Sequence, residues 1–192
     1  MQATRGDPQT QPRQARTRSG PIVIAYDGSR AAEHALREAG PLLAGRSALV
    51  LVVWKAGVAF ELMELPTATI GLPPAPVDIR TALEIDQATY DNAQRTAEQG
   101  AQLAREAGFR EAYPLVVAEE PEIPVAETIV TIAGERDAPA IVVGAHGHGR
   151  LGEVILGSTS RDVIRRAEQP VVVAPEPAAL AFVQPMRGSA RR

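Results

Sequence analysis

Five short apolar runs, separated by stretches with helical spacing, set the architecture open to this chain. Pro21 to Tyr26, Ala48 to Trp54, Ala112 to Val117, Ala140 to Val143 and Val171 to Ala174 are nearly continuous in apolar residues. A strand without polar alternation has both faces buried, which is the environment of a parallel sheet covered on both sides. After the first run, Ala32, Ala35, Leu36, Ala39 and Leu43 keep helical spacing to about Ala44, with Ser29 placed to cap that helix. A long helix is predicted from about Val77 to Ala107, with Leu83, Ala88, Ala93, Ala97, Ala101 and Ala104 on its apolar positions and Gly108 as its stop. Its alanines imply close packing on a sheet. A third helix opens at Pro124 and runs to about Arg136. A fourth, after Ser158, carries Val163, Ile164 and Ala167 until Gln169-Pro170 breaks it. Strict alternation predicts an α/β fold, a parallel sheet with helices on both faces, whose ligands bind beyond the carboxyl ends of strands where the order reverses.

The fourth run empties into a glycine-rich stretch that carries the chemistry. Ile141-Val142-Val143 stops at Gly144, and Gly147, Gly149 and Gly152 follow before Gly157-Ser158-Thr159-Ser160 opens the last helix. A strand leading through such a turn to a helix N-terminus presents unpaired N–H groups and the positive end of the helix dipole to one small space. Glycine lets the backbone take positive φ and lets an anion approach the main chain. The same residues also suit a plain flexible connection, and both readings stand at this point. The stretch has no Gly-Lys-Ser/Thr, so it is not a Walker A loop, and it does not follow the first strand, as a dinucleotide fingerprint would. His146 and His148 lie within the loop and read as exposed side chains, with a phosphate contact by His146 as the alternative. With His34 and no cysteine they make no zinc set.

A chain of 192 residues suits one domain with trimmings. Residues 1–19 are rich in Gln, Arg, Thr and Pro and read as a disordered tail; residues 176–192 read as a second flexible tail. Arg5, Arg13, Arg16 and Arg18 outweigh Asp7 in the first, and Arg187, Arg191 and Arg192 outweigh Glu176 in the second. The body between them is therefore more acidic than the net charge of −3, which argues against nucleic acid as a partner. No run approaches a membrane span, and the N-terminus lacks the apolar region of a secretory signal. The absence of cysteine excludes disulfides and thiolate chemistry and fits a cytoplasmic location. Residues 55–76 mix Gly57, Pro66, Gly71, Pro73, Pro74 and Pro76 with Phe60, Leu62, Met63 and Leu65. They read as a long loop that folds over something as a lid or packs on a partner.

The combination of IVIAYDGS at 22–29, Gly144-Ala145-His146-Gly147, nine residues, Gly157-Ser158, and SRDVIRRAEQPVVVAP at 160–175 resembles the universal stress protein family. The likeness covers about residues 20–175 and leaves out both tails. It implies a single Rossmann-like, three-layer domain, with a five-stranded parallel sheet in the order 3-2-1-4-5 and four helices. It further implies that ATP, or another adenine nucleotide, binds with Mg²⁺. Main-chain groups at Gly144, Gly147, Gly157 and Ser158 would hold the phosphates, and hydroxyls at Ser158 and Ser160, beside Thr159, would add hydrogen bonds. Asp27 would sit by the ribose or a phosphate-bound Mg²⁺, whose preference is for hard oxygen ligands. The residue-level alternative for Asp27 is a turn-forming role before Gly28. Val53 matches the position whose backbone reads the adenine edge, although plain core is its simpler reading. Ala25 and Val143 would wall the base and sugar. One departure stands out: Glu122 occupies the place of a common glycine two residues before Pro124, within an acidic turn expected to face solvent.

The function this predicts is an ATP-binding, stress-response regulatory module, with at most slow ATP hydrolysis and a protein partner that the sequence does not identify. A nucleotide-free dimeric interaction protein is the alternative. An adenylyl-transferring enzyme ranks lower, because Ser-Gly-Gly-x-Asp-Ser and His-Ile-Gly-His are both absent. If the strand order is the family's, Val171-Val172-Val173 lies on an edge strand, and an apolar edge invites pairing with another chain. A homodimer through that strand is the expectation.

Overall fold

The computed structural model describes residues 18–57, 79–145 and 156–175. Nine elements alternate along them: β1 (Ile22–Ala25), α1 (Arg30–Leu42), β2 (Ser47–Trp54), α2 (Ile79–Glu106), β3 (Glu111–Ala118), α3 (Val125–Glu135), β4 (Ile141–Ala145), α4 (Ser158–Arg166) and β5 (Val171–Pro175). The five strands form one sheet in the order β3-β2-β1-β4-β5, and every pairing is parallel. No described helix is long and apolar enough to cross a membrane.

Side chains alternate across the sheet, so each strand feeds two cores. Ile22, Ile24, Ala48, Val50, Val52 and Val142 pack under α1 and α2. Val23, Leu49, Leu51, Ile141 and Val143 pack under α3 and α4 with Ile129 and Val163. Ile22, Ile24, Leu36, Leu51 and Ile141 are fully buried, each contributing about 1.5–3 kcal/mol through removal from water. The runs of β1, β2 and β4 are thus strands with two covered faces, whereas β3, at the sheet edge, buries Ala112 alone and leaves Tyr113 and Pro114 exposed.

The helix N-terminus at α1 is built as its sequence suggests. Ser29 Oγ accepts from the Ala32 N–H at 3.2 Å, and Gly28 before it has φ of +76°, a conformation glycine adopts without strain. The long helix α2 departs from expectation in its first turns. Ala93, Ala97, Gly100, Ala101 and Ala104 are buried on the sheet, but Leu83 is 57% exposed and Ala88 is also exposed. Ala82 is the one fully buried residue of the first turns, and the residues that join the sheet core begin at Ala93. The expected 55–76 loop is described only at Lys55-Ala56-Gly57; the remainder lies outside the described residues, as do both tails beyond Arg18 and Pro175.

Close contact between α2 and the sheet depends on Gly100. A Cβ there would stand 2.8 Å from Tyr26 Cδ1 and 2.8 Å from Val50 Cγ1. Gly100→Ala is therefore expected to push α2 off the sheet and cost about 1–3 kcal/mol. Urea denaturation checks this, and an unchanged midpoint would contradict it.

Candidate functional site

The strand order reverses between β1 and its two neighbours, because β1 continues to β2 on one side and the chain returns to β4 on the other. A cleft of about 280 Å³ opens there, at the carboxyl ends of β1, β2 and β4. Its size lies near the lower end of the roughly 300–1,000 Å³ of small-molecule sites. It has an apolar end and a polar end. Ala25, Leu51, Val53 and Val143 from the sheet, with Val125 and Ile129 from α3, form the apolar end. The sheet residues share one face through the two-residue alternation that builds the core under α3. Asp27 and Ser29, with Gly157, Ser158, Thr159 and Ser160, form the polar end.

β1 is four residues long and β2 eight, and this difference makes the gap. The pairing of β1 with β2 ends at Ala25 and Leu51, and the Tyr26 N–H donates to Leu51 O at 2.9 Å. The main-chain groups of Leu51 therefore face β1. Two residues on, those of Val53 point the same way, into the space where β1 has stopped. The alternate residue Trp54 faces β3, accepting from the Glu119 N–H at 2.7 Å. Val53 thus offers the cleft one N–H donor and one C=O acceptor.

Two helix N-termini border the polar end, and they differ. At α1 the Ser29 side chain caps the helix, and Asp27 Oδ1 accepts from the Ser29 N–H at 2.9 Å. The turn-forming role of Asp27 is therefore real, and the residue also lines the cleft. At α4 the N-cap is Gly157, with φ of −59° and no side-chain capping bond. The first-turn N–H groups of α4 have no intrahelical acceptor, and a Cβ at Gly157 would meet nothing within 4 Å. Ser158 and Thr159 are exposed. This end is open, donor-rich and favoured by the helix dipole for negative charge.

Gly144 has a different reason for being glycine than the one expected. It is not at positive φ. A Cβ there would lie 2.7 Å from both C and O of Ala31 and 2.9 Å from the Ala32 nitrogen. The main chain of α1 occupies the place of a side chain, so the close approach at Gly144 is that of a helix. Ser160 also differs: its Oγ donates to Gly144 O at 2.6 Å, so its hydroxyl is turned to the backbone.

Every expected site residue within the described range lines this one cleft: Ala25, Asp27, Val53, Val143, Gly144, Gly157, Ser158, Thr159 and Ser160. Gly147, His146, His148 and Arg150 lie outside the described residues. Glu120 and Glu122 of the acidic turn are exposed and, like Glu119, are not among the cleft residues. Sequence reasoning missed Leu51, Val125 and Ile129 as lining. Leu51 was within reach, two residues before Val53 on the same face. Val125 and Ile129 are one helical turn apart, but nothing local says which turn of α3 meets the cleft. Tyr26 also lines it; burial first, then the carboxylates of Glu33 and Asp27, raise its phenol pKa, so the hydroxyl stays protonated.

Asp27 is the one carboxylate among the described lining residues. A single carboxylate beside an anion site suits Mg²⁺ held mainly through phosphate oxygens and water. It would not make a metal site by itself, and the described residues contain no cluster of three metal-ligating side chains.

The universal stress protein family model matches residues 19–175. A universal stress protein of Mycobacterium tuberculosis (strain ATCC 25618 / H37Rv) is 30% identical over 169 residues, covering 85% of this chain and 46% of the relative. The chain thus spans slightly under half the length of that relative. Among solved structures, a universal stress protein of Archaeoglobus fulgidus is 26% identical with a TM-score of 0.54, covering 80% of this chain and 97% of its own. A universal stress protein crystallised in complex with cAMP shares the fold, at 19% identity and a TM-score of 0.52, with 82% of this chain and 98% of that one covered.

The two glycines of the cleft should respond differently to a methyl group. Gly144→Ala forces α1 away from β4 and is expected to cost about 1–3 kcal/mol or more. Gly157→Ala meets open space at an ordinary φ and is expected to cost under about 1 kcal/mol. Thermal denaturation of both variants checks the order, and a reversed order would refute the packing assigned to Gly144.

Proposed function

The chain belongs to the universal stress protein family, and we propose that it acts there as a nucleotide-dependent binding module taking ATP or another adenine nucleotide. The observation that carries this reading is the meeting, in one cleft, of an uncapped helix N-terminus and an apolar slot bordered by Val53, which lies beyond the last β1–β2 pair. The N–H groups at Gly157, Ser158 and Thr159 take the phosphates, with the Ser158 hydroxyl adding a donor. The adenine ring lies between the side chains of Ala25, Val53, Val143 and Ile129. Its amine and neighbouring ring nitrogen, a donor beside an acceptor, match the C=O and N–H of Val53. The second oxygen of Asp27 meets the ribose or a Mg²⁺ carried by the phosphates. The fold likeness to the protein crystallised with cAMP is consistent with a nucleotide in this place.

The same residues favour holding over cutting. Apart from the protonated phenol of Tyr26, the only titratable group in the described lining is Asp27, and its Oδ1 is already bonded to Ser29. In-line hydrolysis needs a positioned water and a group to orient it. The reading is therefore of at most slow hydrolysis, with the liganded state read by a regulatory partner in a stress response. A cytoplasmic location goes with this reading, since a regulator of this kind meets its nucleotide there.

We further propose a homodimer through β5. It is the edge strand beside β4, and Val171, Val172 and Val173 are each only half-buried. An apolar edge with unpaired main-chain groups is stabilised by pairing with a second copy. Sedimentation is expected to show a dimer at micromolar concentration that Val172→Lys shifts toward monomer; a monomeric wild type would refute it.

The nucleotide reading is tested by mass spectrometry of small molecules released on denaturing the purified protein, and by thermal shift with ATP, AMP and cAMP. At a hundredfold excess over Kd the ligand contributes about 2.7 kcal/mol, which for a chain of this size raises Tm by roughly 5–10 °C. Gly157→Val, which fills the open space at the α4 N-terminus, should abolish the rise. If none of the three nucleotides raises the wild-type Tm, the cleft serves another anion.

A further inference from the structure

Ser160 sits where a ligand-binding hydroxyl is expected, but its proton is committed elsewhere. Its Oγ donates to Gly144 O at 2.6 Å, in a part-buried position, joining groups 16 residues apart. A serine hydroxyl has one proton. Phosphate oxygens are acceptors, so they gain no donor from this side chain while the bond holds. The bond instead ties the first turn of α4 to the carboxyl end of β4. Among the described residues little else does so at this end. Val163 is the one buried residue of the nine in α4, and it lies in the second half of the helix. The other end of the tie is fixed, since the backbone of Gly144 is pressed on Ala31 and Ala32 of α1.

We infer that Ser160 is a positioning residue for the cleft: its hydroxyl clamps the N-terminus of α4 to β4 and so aims the free N–H groups of Gly157, Ser158 and Thr159 at the phosphates. This rests on the nucleotide reading above. Without the clamp, the helix keeps its Val163 anchor while its first turn swings, and the phosphate end of the cleft loses geometry. The base end is built from β1, β2, β4 and α3, and α3 meets α4 through Val163 and the Glu127–Arg166 pair, contacts of the second half of α4 that the clamp does not make. Ser160 therefore acts on phosphate recognition and leaves base recognition unchanged.

The test compares ATP with adenosine, which has the base and ribose but no phosphate, by calorimetric titration of the wild type, Ser160→Ala, Ser160→Val and Ser160→Thr. Loss of one backbone-directed hydrogen bond, worth about 1 kcal/mol, predicts about five- to tenfold weaker ATP binding for Ala and Val. Adenosine affinity should stay within about twofold, and Thr, which keeps the hydroxyl, should restore ATP binding. A second readout needs no nucleotide. The Arg161 N–H donates to Gly157 O at 3.1 Å, closing the first turn of α4. Its hydrogen exchange should speed up in Ser160→Ala and return toward wild type in Ser160→Thr. Equal losses for ATP and adenosine, or an unchanged ATP affinity in Ser160→Ala, would overturn the positioning role. If the wild type binds neither ligand, the nucleotide reading fails, and the Arg161 exchange rate alone decides whether the clamp exists.

Discussion

The contact between Gly144 and the first turn of α1 is the constraint on which the rest of the cleft depends. Main chain meets main chain there, with no room for a Cβ. It brings the end of β4 under the N-terminus of α1 and holds Asp27 and Ser29 beside the sheet. It also fixes the carbonyl to which Ser160 is tied. Three elements from distant parts of the chain thus meet at one residue. Were β4 a little further from α1, the polar end of the cleft would lose its common focus.

The second constraint is the length of β1. Its pairing stops at Ala25 while β2 continues to Trp54. In a parallel sheet a strand that ends early leaves its neighbour's main-chain groups facing open space, and Val53 is that neighbour. The apolar floor and the free N–H and C=O are therefore two results of one feature. The polar end is made by helix termini, so the site uses mostly backbone groups and small side chains. That suits a cleft proposed to hold a nucleotide. It also explains why so few titratable groups line it.

Much of this was legible in the residues. Burial on both faces of a parallel sheet requires unbroken apolar runs, and those runs located all five strands to within about two residues. The cap at Ser29 was readable because the physics of a helix N-terminus is local. The lining residues Ala25, Val53 and Val143 came from the family resemblance, and the structure places them on a common face. Less legible was the beginning of α2. Leu83 and Ala88 follow the same helical period as Ala93 and Ala97, and period alone does not say where a helix runs past its sheet. Val125 and Ile129 were missed for a similar reason, since their place at the cleft depends on how far α3 lies along β1 and β2.

The alternation of strands and helices, the parallel sheet and the neighbourhood of the glycine-rich turn are written in the residues, because they follow from local periodicity, capping and burial. What the individual glycines and serines do depends on the packing of the folded chain. Gly144 and Gly157 look alike in the sequence, yet one is closed by a helix backbone and the other opens onto the cleft. Ser158 and Ser160 are two residues apart in one helix turn, yet one is exposed at the helix mouth and the other is bonded to β4. A residue's local code sets its own conformation, whereas the space beside it is set by other segments of the chain: β4, 16 residues away, for Ser160, and α1, at Ala31 and Ala32, for Gly144.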